Sequence, residues 1–231
     1  MAAGTDAPAG TTIAVGSLSF SLTNEWTAGR FAHLRRALTL VPQSVLKVVD
    51  GLSFQVKSQT SGGEDGEYDI DKHRVIMYSS AWQANAARYG GSEWPVYAIA
   101  HEIGHAIDRA ALRKAWSTFQ GSKGTSSDEK ALTTARSESA GRYVNKKGTF
   151  ELEVPLAGKE GAFRKAAAKD GVKLPSKNAT VLEGTPTEYA SHDWEDVYAE
   201  SFALYTTDPK LLELLRPTIY AYFAKRYPRK P

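Results

Sequence analysis

The chain has 231 residues, 42% of them hydrophobic, enough for one sizeable core or two small ones. Twenty-nine Lys and Arg against 26 Asp and Glu leave a net charge of +3; Arg30/Arg35/Arg36 and Lys225/Arg226/Arg229/Lys230 read as solvated surface, and no nucleic-acid partner is expected. No run of ~18 apolar residues suggests a membrane span, and with no cysteine there are neither disulfides nor thiolate ligands, so a metal site would rest on His and carboxylates.

Residues 1–12 are small and lack the basic flank and apolar stretch of a signal peptide, so they read as a flexible lead-in, with the chain expected to be part of a larger polypeptide. Ile13 to Leu22 alternates apolar and polar residues around Gly16, as a strand or small hairpin does. Ala28 to Leu40 is helical, Pro42 interrupts, and Ser44 to Val49 forms a short helix. Leu52 to Val56 reads as a strand, Ser61 to Gly66 as a flexible turn, and Arg74 to Tyr78 as a second strand with a helical link after it.

Ser92 to Leu112 predicts one helix, with Ser92 as its cap and Pro95 in its first turn. Gly121 to Lys130 reads as a mobile loop. From about 131 to 185 only a strand at Thr149 to Val154 and a helix at Lys159 to Lys169 stand out. Asp193 to Thr206 is helical, Asp208-Pro209 starts another helix, and Pro217 a third that runs to about Tyr227. The whole predicts an α+β fold: one domain over 13–231, with 114–185 as an insertion.

The chemistry concentrates in His101-Glu102-Ile103-Gly104-His105. On a helix, positions i and i+4 share a face, so both imidazoles can reach one ion. Glu102 is rotated about 100° from His101, beside the metal, where a base acting on metal-bound water belongs. Ile99, Ile103, Ala106, Ile107 and Ala110 form an apolar stripe on the opposite side, and Ala100, Gly104 and Ala111 a strip of small residues. Gly within a helix costs ~1 kcal/mol relative to Ala, so Gly104 predicts close approach by a neighbouring backbone.

A catalytic zinc takes three protein ligands and an open position. A third His at 111 would complete one known arrangement, but Ala111 stands there. The third ligand is therefore expected in Tyr189 to Tyr205, where Asp196 and Glu200 share a helix face: one carboxylate can bind metal while the other orients an imidazole. Glu195, Glu200 and His192 compete with Asp196 for the ligand role. His33 and His73 have no supporting pattern and read as surface or packing residues.

The run His101 to Asp108, followed far downstream by Tyr189, Asp196 and Glu200-Ser-Phe-Ala-Leu-Tyr205, resembles the zincin metallopeptidases of the anthrax lethal factor type, including the Pro-Pro endopeptidases. In that family a Tyr precedes a ligating Glu by seven residues. The resemblance implies a zincin-like fold with a small mixed sheet, zinc on His101, His105 and Asp196, Glu200 behind them, Glu102 as base and Tyr189 as donor to the oxyanion. Asp for Glu at the ligand position shortens the side chain by one methylene and keeps Glu195 a rival. The resemblance covers the metal helix, 189–205 and the strand Arg74 to Tyr78, implied to be the sheet edge along which extended peptide lies; 114–185 have no counterpart. It implies a zinc endopeptidase, such as the catalytic domain of a secreted toxin or effector. A zinc amidase acting on cell-wall peptides, a zinc-stabilised targeting module and a cytoplasmic location are the alternatives.

Overall fold

The computed structural model describes residues 10–15, 18–23, 26–58, 64–83, 88–89, 92–122, 124–153, 161–174, 176 and 179–229. Five strands form a mixed sheet: β1 (Thr12–Val15), β2 (Leu18–Thr23), β3 (Ser53–Lys57), β4 (Gly66–Asp69) and β5 (Arg74–Tyr78), in the order β1-β2-β3-β5-β4. β1 and β2 are antiparallel, β2, β3 and β5 run parallel, and β4 returns antiparallel to β5. Residues 1–9 of the expected lead-in, and Gly16 of the expected hairpin, lie outside the described residues, but Thr12 is already in β1 and the Gly10 N–H donates to the Leu22 carbonyl at 2.8 Å.

The sheet corrects two expectations. β5 is an interior strand and not the edge, because it pairs on both sides and Val75 to Tyr78 are all buried. The edge is β4, which begins at Gly66 in the stretch expected as a turn; with Tyr68 its single buried residue, Gly-Glu-Tyr-Asp carries no alternation to read.

Helices α1 (Ala28–Leu40) and α2 (Gln43–Val48) lie where expected, with Thr27 capping α1 through the Arg30 N–H. A 3₁₀ turn at Ser79–Trp82 and the two-residue strands β6 (Arg88–Tyr89) and β7 (Ser92–Glu93) lead into α3 (Trp94–Asp108). Ser92 is therefore not the cap: it belongs to a strand pair with Tyr89, and Glu93 holds the cap position with no capping bond from its side chain. Pro95 sits in the first turn as expected.

The predicted single helix to Leu112 is broken at Arg109, and α4 (Ala110–Gly121) continues separately. Tertiary bonds compete there: the Asp108 carbonyl accepts from the Glu138 N–H at 3.1 Å, and the Arg109 guanidinium turns to Glu195. The apolar stripe and the small-residue strip thus end at the break, with Ala110 half-buried and Ala111 exposed. The expected loop at 121–130 also fails in part: α5 (Ser126–Thr134) starts inside it, because the Thr125 hydroxyl accepts from the Asp128 N–H and Leu132 packs on Leu112 and Tyr143. The hairpin β8 (Arg142–Lys146) and β9 (Thr149–Glu153) follows, Trp116 stacking on Tyr143 at 5.3 Å. These residues make a satellite core beside the main one.

Helix α6 (Ala162–Lys169) leads to α7 (Trp194–Thr207), α8 (Pro209–Leu215) and α9 (Pro217–Arg226). The Asp193 and Asp208 side chains accept from Asp196 N–H and Leu211 N–H, capping α7 and α8. α9 borrows its cap from a distance: Asp170 accepts from the Thr218 and Ile219 N–H groups at 3.0 and 2.7 Å. No helix among the described residues is long and apolar enough to cross a membrane.

Candidate metal centre

Helices α3 and α7 carry the site, and their closest approach decides its shape. A Cβ on Gly104 would stand 2.8 Å from the Ala199 Cα, so the helices meet backbone to backbone, as the glycine predicted. His101 and His105 lie three residues before and one after Gly104; Asp196 and Glu200 lie three before and one after Ala199. One small-residue contact thus sets two imidazoles against two carboxylates from nearly a hundred residues away.

The Nε2 atoms of His101 and His105 are 3.0 Å apart, and Asp196 Oδ1 is 3.8 and 3.5 Å from them. These three residues form the potential metal-binding group among the described residues, their ligand atoms all within 4.8 Å of one another. Tetrahedral zinc with bonds of about 2.0–2.1 Å separates its ligand atoms by roughly 3.3 Å, so the donor set fits. Two imidazole lone pairs at this distance repel unless a proton or a cation lies between them. The rings titrate apart: burial disfavours charge on both, but Glu200, Glu102 and Asp196 outweigh it at His101 and hold that ring at about 9, while burial and the His101 charge push His105 well down.

Glu200 is buried behind the pair. Its Oε1 accepts from His101 Nδ1–H and its Oε2 from the Tyr97 hydroxyl, both at 2.8 Å, which turns Nε2 of His101 toward Asp196. Burial would raise the Glu200 carboxyl, but the bonds from His101 and Tyr97 hold it below its ordinary range. Tyr97 went unnoticed in the sequence, although it lies four residues before His101 and so on the same helix face.

Glu102 is 5% exposed and its Oε2 has no hydrogen-bond partner among the described residues. Burial, against the pull of the His101 charge, pushes its carboxyl up to about 7. Tyr189, in a 3₁₀ turn before α7, brings its ring to 5.7 Å from that of His101. Although the side chain is half exposed, partial desolvation and the charge of Asp196 raise its hydroxyl, so the phenol stays protonated. His101, Glu102 and Tyr189 share a cavity of about 560 Å³.

The rivals for the ligand role are engaged elsewhere. Glu195 points to Arg109, its Oε1 accepting from Nε at 3.3 Å and its Oε2 from Nη2. His192 is exposed and donates from Nδ1 to the Tyr189 carbonyl at 2.6 Å. His33 pairs with Glu93 at 3.0 Å, and His73 is buried between the Tyr68 hydroxyl and the Asp50 carbonyl. The chain matches no family model and no curated protein sequence.

Proposed function

We propose that the chain is a zinc-dependent endopeptidase with a zincin-like fold. The observation that carries this reading is the cluster of His101, His105 and Asp196 with a buried carboxylate at its side, Glu102, whose Oε2 has no partner among the described residues. A cluster that only stabilised the fold would gain nothing from Glu102, since an unpaired buried acid costs stability.

His101, His105 and Asp196 would hold the ion, with Glu200 orienting His101. Zinc in such a site acidifies a water and polarises the scissile carbonyl. Glu102, buried beside the ligands with its Oε2 free of any partner among the described residues, takes the proton from the attacking water and delivers it to the departing amine. Tyr189 donates its hydroxyl hydrogen to the oxyanion of the tetrahedral intermediate. Extended peptide adds as a strand to the outer side of β4, whose Gly66 lies directly over Glu102.

The test is metal content and turnover on the same samples. The protein should carry about one zinc per chain, and chelation should abolish hydrolysis of a peptide library and lower the melting temperature. Glu102→Gln should retain the zinc and lose nearly all hydrolysis; full turnover in that variant overturns the reading.

A further inference from the structure

The cavity beside the metal cluster runs along α3 toward its N-terminus, and its wall has two chemical characters. Trp94, Tyr97 and Ala98 make it apolar, the Trp94 and Tyr97 rings stacked at 5.7 Å with 20° between their planes. Five of its twelve lining residues are carboxylates, and no lysine or arginine is among the described residues that line it, in a chain whose net charge is +3. The acid is thus concentrated here against the sign of the whole molecule.

Two of those carboxylates are accounted for: Glu200 by His101 and Tyr97, Glu102 by the chemistry. Glu64 and Glu188 are not. Asp65 is fixed in place, its Oδ2 accepting from the Trp94 indole N–H at 2.6 Å, while Glu64 and Glu188 are exposed at the rim. The Oε2 of Glu102, buried and without a hydrogen-bond partner among the described residues, faces the same cavity.

We propose that this cavity receives a cationic group of the peptide, carried on an apolar stem: the side chain of a lysine or arginine beside the scissile bond. The inference rests on the endopeptidase reading and names its substrate class. A methylene stem lies against aromatic rings while its charged head stays among carboxylates. A leucine or phenylalanine would strip water from Glu64, Asp65 and Glu188 and return no hydrogen bond. An acidic side chain would meet like charge. A free peptide N-terminus is a second source of the same cation, and the experiment separates the two.

The zinc-loaded protein is given peptides blocked at both ends that differ at one position, occupied in turn by arginine, lysine, citrulline, leucine and glutamate, with the position scanned across the chain. At one position kcat/KM for arginine or lysine should exceed that for citrulline, the neutral isostere, by roughly 10-fold or more, the scale of one hydrogen bond to a charged group. In Glu64→Gln/Glu188→Gln the arginine-to-citrulline ratio should fall toward one. Binding of the same peptides to Glu102→Gln, followed by calorimetry, should show the same preference without turnover. A preference carried by blocked peptides assigns the side chain; one that appears only with a free N-terminus assigns the ammonium. Equal rates for arginine and citrulline, or a preference for leucine, overturn this inference while leaving the endopeptidase reading intact. Cleavage of no peptide at all by zinc-loaded protein removes that reading instead.

Discussion

Gly66 and Glu102 are in contact: a methyl group built on Gly66 would stand 2.9 Å from both Cγ and Oε1 of Glu102. The edge strand and the base of the metal helix therefore fit together only because the strand has no side chain there. Gly66→Ala should push the carboxylate aside and lower kcat by ~10²-fold, the usual cost of a displacement of about 1 Å in a reacting group. Zinc content should not change, since Gly66 touches none of the three ligands' helix faces. Kinetics and metal analysis on one sample check this; an unaltered kcat would mean that Glu102 has room to spare.

Asp196→Ala should strip the zinc, whereas Glu195→Ala should keep it. The second variant instead leaves Arg109 without its carboxylate, so it should lose up to ~3 kcal/mol of stability, visible as a lower denaturant midpoint. Glu200→Ala should weaken zinc binding by roughly 10–100-fold, as the loss of a partner to a ligating His does. Retention of zinc by Asp196→Ala with loss in Glu195→Ala would reverse the assignment.

Tyr189→Phe separates catalysis from packing. The hydroxyl would matter only as charge develops on the substrate, so kcat should fall by roughly 10²–10³-fold with zinc content, folding and substrate affinity nearly unchanged. A fully active Phe variant would make Tyr189 a wall of the cavity and nothing more.

Acid stability should depend on His73, far from the metal cluster in role. Burial, helped by Arg113, pulls its imidazole down to about 4, and the neutral ring is held by Tyr68 and Asp50. Unfolded His titrates near ~6.5, so the unfolded chain binds the extra proton first. The stabilisation is complete above about 6.5 and is lost as pH falls from there toward 4. His73→Asn keeps a residue suited to the left-handed backbone at φ 48 and cannot titrate. The difference in melting temperature between the two proteins should therefore shrink as pH falls through this window; a constant difference would refute the role.

The features legible in the sequence were those written in local periodicity or capping chemistry. Helix α1 and the Asp-capped starts of α7 and α8 follow from them, as does the sharing of a face by His101 and His105 and by Asp196 and Glu200. Gly104 announced the helix contact, though not that Ala199 would be the partner. What escaped depends on distant groups. The break at Arg109 follows from Glu195 and Glu138, and Ser92 was lost as a cap to pairing with Tyr89. β4 is hidden because an edge strand that buries one side chain needs little apolar sequence, and the expectation of an edge at β5 came from the family resemblance and not from the local pattern. Arg109 also draws Glu195 away and leaves Asp196 as the carboxylate beside both imidazoles, an arrangement that spacing alone left open.

Strand β4 ends the sheet, and no other strand pairs with its outer side among the described residues. Unpaired backbone groups that would take up a substrate on the endopeptidase reading are equally open to a neighbouring molecule's strand, which makes this edge the natural starting point for self-association at high concentration. Its four-residue length gives an intruder little to hold, and Glu67 and Asp69, tethered to Lys57 and Lys72, set charge along it. On the endopeptidase reading the molecule's colloidal behaviour and its binding of peptides would be governed by the same short stretch of chain, and conditions that screen these charges should bring precipitation and loss of intact chain together.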